Sequence, residues 1–138
     1  MALVCPDVGE VQLLTDLLDN GNNHTLKLFK ADVTPAETDT AATYTVADFS
    51  GYANKTLVRN VGAGNWGTPT TAAGVTSSEY NSGTPQAFLC NGATGNTIYG
   101  YYVVDATTTV LCWAEKFATA RNVATNDTLS LTPKLELA

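Results

Sequence analysis

One histidine, three cysteines and thirteen carboxylates are the residues with which this 138-residue chain could do acid–base, nucleophilic or metal chemistry. A serine or cysteine hydrolase needs a base to take the nucleophile's proton, and histidine is the usual one. His24 is the sole histidine, and its setting, Asn22-Asn23-His24-Thr25, reads as an exposed polar turn. No Gly-x-Ser-x-Gly elbow accompanies it. Zinc calls for three or four nitrogen or sulfur ligands, normally announced by close Cys or His pairs. Cys5, Cys90 and Cys112 fall at unrelated spacings instead. Cys112, in Val110-Leu111-Cys112-Trp113, is expected to be a buried thiol; a Cys90–Cys112 disulfide is the other arrangement, disfavoured in a reducing compartment.

The oxygens of Asp19, Asn20 and Asn22 could contribute to a calcium shell, but their order does not match an EF-hand loop. Glycoside hydrolysis needs two carboxyls facing each other across a sugar, and Asp48, Glu79, Asp105 and Glu115 are available. Any acidic domain offers such pairs, and Glu115, between Ala114 and Lys116, reads as a solvent-facing or cross-strand charge. Gly62-Ala63-Gly64-Asn65-Trp66-Gly67 matches a bare Gly-x-Gly-x-x-Gly pattern, yet Thr68-Pro69-Thr70 follows it and opens no helix. The dinucleotide reading fails there. Three Asn-x-Thr triplets, at Asn23, Asn54 and Asn126, are what a Thr- and Asn-rich chain produces by chance. The sequence predicts no catalytic site, no cofactor and no metal.

Composition narrows the classes further. Apolar residues make up 44% and charged residues 14%, enough for one core beneath an unusually uncharged surface. Twenty-two threonines, about one residue in six, favour pleated strands over helices. A formal charge of −6, with the seven cations scattered, argues against a nucleic-acid partner. Met1 to Pro6 is too short for a secretory signal and no run is apolar enough for a bilayer, so no membrane partner is expected. A soluble chain made in a cytoplasm is the expectation.

The elements that must position these residues are mostly strands. Val8, Val11, Leu14 and Leu18, widened by Leu13 and Leu17, predict a helix from Asp7 to Asn20, with Asp7 and Glu10 as a capping-box-like start. Thr25 to Lys30 predicts a strand, and Ala31 to Tyr52 a long excursion pinned by Tyr44, Phe49 and Tyr52. Lys55 to Val61 predicts another strand, leading to Trp66, read as a core plug over an exposed recognition residue. Thr68 to Gly83 reads as a polar surface loop with room for a short strand, and Gln86 to Cys90 as buried. Thr97 to Val104 and Thr109 to Phe117 flank a short connector and predict an antiparallel hairpin. Thr128 to Leu137 alternates leucine with polar residues as one half-buried strand, with Pro133 demanding an edge or a bulge. The whole is expected to be a single domain over 1–138: a short arm at 1–6, a helix at about 7–20 and a β-rich body at 25–138. Its fold class is mainly β, an antiparallel β-sandwich or barrel with one N-terminal α-helix.

Four places carry a resemblance that spans nearly the whole chain. They are Val8-Gly9-Glu10 with the paired leucines after it; Leu26-Lys27-Leu28-Phe29 running into Asp32-Val33-Thr34-Pro35; Phe49-Ser50-Gly51-Tyr52; and Ile98-Tyr99-Gly100-Tyr101-Tyr102-Val103 leading to Trp113-Ala114-Glu115-Lys116-Phe117 and Leu131-Thr132-Pro133. In these the chain resembles a family of small virion proteins encoded among the structural genes of tailed bacteriophages. The resemblance implies a capsid decoration or cement protein on the capsid exterior, partnered with the major capsid protein and self-associating as a homotrimer. It casts the N-terminal arm, with Leu3 and Val4, as an apolar hook. The excursion rings Tyr44, Phe49 and Tyr52, together with Trp66, complete the predicted contact set. A tail, neck or fibre-associated subunit is the alternative within that family. A carbohydrate-binding module is a separate one, resting on Trp66, Tyr99, Tyr101 and Tyr102 as sugar platforms.

Overall fold

The computed structural model describes residues 4–19, 21–62, 64–81 and 84–137. In chain order it contains α1 (Asp7–Asp19), β1 (His24–Phe29), β2 (Lys55–Leu57), β3 (Thr70–Ala72), β4 (Val75–Glu79), β5 (Gln86–Leu89), β6 (Asn96–Asp105), β7 (Leu111–Val123), β8 (Thr128–Leu131) and β9 (Lys134–Leu137), with one 3-10 turn at Ala41–Thr43. Every pairing between these strands is antiparallel. The fold is mainly β with one N-terminal helix, as the threonine content and the period-two patterns predict. The chain forms two compact units. The first comprises Met1–Gly21, Val58–Pro85 and Thr132–Ala138; the second comprises Asn22–Leu57 and Gln86–Leu131.

In the first unit α1 packs on the sheet ordered β3-β4-β9. Its buried stripe is narrower than the sequence pattern predicts: Leu14 and Leu18 are fully buried, while Val8 and Leu13 are exposed. Glu10 does not close a capping box with Asp7; it reaches the sheet, where its Oε2 accepts from buried Thr76 at 2.8 Å, and Thr76 in turn bonds Thr71 at 2.7 Å. At the other end Asp19 Oδ1 accepts from the Val61 N–H at 2.8 Å. Arg59 Nη2 donates to the Asp16 carbonyl at 3.4 Å, a cation beside the negative helix terminus. Trp66 is fully buried, its ring edge-on to Tyr80 at 5.3 Å, so the core-plug reading holds. The polar stretch after it contains a complete hairpin, β3 and β4, turned by Ala73 and Gly74 at φ 51° and 77°. Those signs are what a tight two-residue hairpin turn requires.

The second unit is built on a sheet ordered β2-β1-β6-β7, with the two-stranded sheet β5-β8 beside it. The predicted β6–β7 hairpin is present, but β7 runs on for 13 residues to Val123. Opposite β6 residue Gly100 lies the ring of Phe29, its partner on β1. A Cβ at Gly100 would stand 2.5 Å from that ring and would collide with the Glu115 carbonyl. Phe29 then meets Tyr44 at 5.0 Å, and Tyr44 stacks on Tyr102 at 5.0 Å, which ties the excursion after β1 to the sheet. Further along the excursion Tyr52 Oη accepts from the Leu28 N–H at 2.9 Å, and its ring stacks with Phe88 of β5.

The C-terminal run departs from the predicted single strand. It breaks at Thr132-Pro133 into β8, which pairs with β5, and β9, which pairs with β4 in the other unit. Pro133 has no N–H for a ladder, and the chain changes sheets where that donor is missing. Its carbonyl is kept in use by the Tyr80 N–H at 2.9 Å.

Two substitutions test these packing arguments. Gly100→Ala drives a Cβ into both the Glu115 carbonyl and the Phe29 ring and is expected to lose at least about 1–3 kcal/mol in denaturant unfolding, with Phe29→Leu restoring only the ring's share. Trp66→Ala empties the first unit's core and is expected to cost about 3–5 kcal/mol.

Candidate interaction surface

Of the predicted contact residues, Leu3 lies outside the described residues. Val4 is exposed at 86% and offers apolar surface. Tyr44, Phe49 and Trp66 do not: they are 4%, 2% and 0% exposed. Their rings are packing residues of this chain, because burying that much aromatic area stabilises the fold more than leaving it in water. Tyr52 is half-buried and its hydroxyl is committed, accepting from Leu28 and donating to Asn54 Oδ1 at 3.0 Å. The sugar-platform residues fare alike: Trp66, Tyr101 and Tyr102 are buried, and Tyr99 is partly so.

The residues that could do chemistry are also placed by backbone needs. His24 is not in an exposed turn. It opens β1, is buried, stands edge-on to Trp113 at 5.1 Å, and faces Leu57 and Asp105 across the neighbouring strands. Asp105 anchors the β6–β7 turn: its Oδ1 accepts from the N–H groups of Thr108 and Thr107 at 2.7 and 2.9 Å. Those two bonds first, and His24 in smaller measure, hold its carboxyl below the usual aspartate range. Asp48 is also held down, by the Lys30 ammonium at 2.5 Å and by Asn96. Glu115 accepts from Tyr101 Oη at 2.6 Å across the β6–β7 pair, the cross-strand role predicted for it. Among the described residues no three His, Cys, Asp or Glu gather closely enough to hold a metal ion.

No disulfide joins the cysteines. Cys90 is buried and its thiol donates to the Gly92 and Thr94 carbonyls, both at 3.4 Å. Cys112 is exposed, against the expectation of burial, because successive side chains of a strand alternate in face and it takes the outward one between the partly buried Leu111 and Trp113.

No protein-family model matches this chain, and no curated protein matches it.

What the geometry does present is β7. It ends the four-stranded sheet, and among the described residues no strand pairs with its outer edge. At its start the tip of the β6–β7 hairpin projects Val110, 62% exposed, beside Thr109 at φ 59°, a conformation β-branched residues rarely adopt. Behind the tip a cleft of about 420 Å³ runs between the Pro35–Asp39 segment and Leu111–Ala114. At its far end a second cleft of about 640 Å³ opens toward β8. Between them β7 bulges, with Phe117, Ala118, Thr119 and Ala120 opposing Tyr99 alone. That bulge conceals the strand from sequence reading, since it interrupts the period-two pattern just where the polar Thr119 to Asn122 begins.

Two titrations follow from the placed groups. A depressed folded-state pKa contributes stability above the unfolded value, so unfolding free energy is expected to fall as pH drops below about 4, and Asp105→Asn to flatten that loss in urea melts at several pH values. Tyr44 and Tyr52 are each pushed up to about 12, by burial first, with the Asp39 carboxylate adding for Tyr44. Their neutral forms stabilise the fold below about pH 10, and that contribution is lost as pH rises toward 12. Tyrosinate absorbance is expected to show these two tyrosines titrating well above the ordinary tyrosine value of about 10.

Proposed function

We propose that this chain is a non-enzymatic structural protein of a tailed bacteriophage particle. In this reading it is a decoration or cement protein on the capsid exterior, self-associating as a homotrimer and binding where major capsid subunits meet. The observation that carries it is the 13-residue edge strand β7, flanked by a cleft at each end, in a chain whose aromatic and acidic residues hold its own backbone. An open strand edge is a template for another chain. A protein made to be covered on assembly can carry one, with an uncharged Thr-rich surface around it. The resemblance along nearly the whole chain supplies the particle. Of the four rings on which a sugar-binding role rested, Trp66, Tyr101 and Tyr102 are buried and Tyr99 is partly so, which favours the structural reading.

Purified protein added to capsids that lack it is expected to bind in a fixed ratio and to raise their resistance to heat. Failure to bind any capsid form overturns the capsid assignment, and antibody label on tails or fibres of intact particles moves the protein there.

A further inference from the structure

Strands β7 and β8 are consecutive and joined by the tight turn 124–127, in which the Ala124 N–H donates to Asp127 Oδ2 and the Asp127 N–H to the Ala124 carbonyl, both at 2.9 Å. Such a connection ordinarily closes a hairpin. Here the two strands do not pair, because β8 is drawn to β5: the Cys90 N–H donates to the Asp127 carbonyl at 2.9 Å and the Asn126 N–H to the Cys90 carbonyl at 2.7 Å, ahead of the β5–β8 ladder. The result is a notch of about 640 Å³ lined by the end of β7 and by β8.

The geometry points to a slot for one extended peptide segment of a partner protein, bearing an acidic side chain that Arg121 receives. Its two walls are strand edges, whose backbone donors and acceptors are satisfied by a strand laid between them, joining the two sheets. The four residues of β8 span about 13 Å, which sets the paired length at about four residues. The lining is mixed: Phe117, Val123, Leu129 and Leu131 give apolar surface beside the polar Asn122, Thr128 and Ser130.

Charge selects the occupant. Arg121 is exposed in the notch, and among the described residues no carboxylate pairs with it. The one acid nearby, Asp127, has an oxygen engaged by the Ala124 N–H. A carboxylate entering on the occupant meets a guanidinium able to make paired charge-assisted bonds. The slot takes its strand whether or not the chain belongs to a virion.

The test uses the full isotope-labelled chain and a capped hexapeptide alternating valine and threonine with one central glutamate. Saturable amide shifts are expected at residues 117–123 and 128–131. Replacing the peptide's glutamate by lysine, or Arg121→Ala in the protein, is expected to weaken binding about tenfold, the weight of one charge-assisted contact. Methylating the peptide's backbone nitrogens is expected to abolish it, without touching the protein's own fold. No saturable shift at millimolar peptide overturns the slot, and binding that survives N-methylation overturns strand addition. Binding indifferent to both charge changes overturns the role of Arg121. The same shifts appearing with rising protein concentration alone assign the notch to a second copy and overturn the partner.

Discussion

Phe29 lies against Gly100, and the second unit depends on that contact. The two are partners across β1 and β6, and the ring occupies the space a side chain would need. With the ring seated there, Tyr44 packs on it and stacks on Tyr102, so the long segment after β1 is held by aromatic area in place of a regular ladder. The same glycine faces Lys116, and the next residues of β7 form the bulge. The contact that fixes the centre of the sheet thus sits beside the irregularity that shapes its edge.

A second constraint is electrostatic. The chain has nearly twice as many acids as bases, 13 against 7, so at least six carboxylates cannot be neutralised by one-to-one pairing. The described ion pairs, Lys30–Asp48, Lys116–Asp32 and Lys134–Glu136, are solvent-accessible, so water and salt screen them and they add little to stability. Several acids instead accept from backbone N–H or hydroxyl groups. Asp105 and Asp127 hold turns, Asp19 holds Val61, Asp39 holds Ala36 and Tyr44, and Glu10 holds Thr76. The bonds of Asp105, Asp127 and Asp39 are local and hold turns, whereas Asp19 and Glu10 join the helix to segments far along the chain.

Much of the fold was legible in the sequence because it follows from local rules. The helix followed from leucine spacing, the β6–β7 hairpin from two β-rich runs about a short connector, the burial of Trp66 from the size of an indole, and the cross-strand role of Glu115 from its strand position. The candidate surface was hardly legible. Tyr44 and Phe49 stood out as aromatics in a polar stretch, which marks them as anchors without saying whether they anchor inward or outward; burial sends them inward. His24 looked exposed among asparagines, yet Trp113, Leu57 and Asp105 from three other strands enclose it. Val8 belonged to the helical stripe by spacing but is exposed, since the sheet covers only the strip around Leu14 and Leu18.

The sequence by itself determined the class of the protein: strands from its threonines and period-two runs, one N-terminal helix, and the single histidine that limits its chemistry. The tertiary structure alone decided that Thr128 to Leu137 serves two sheets, that β7 extends past its bulge to Val123, and that β7 and β8 diverge after a hairpin turn. The reason is the range of the forces involved. Periodicity and turn chemistry act over a few residues and are written in neighbours, whereas the partner of each strand edge is chosen among segments tens of residues apart, by which pairing satisfies the most backbone groups around a common core.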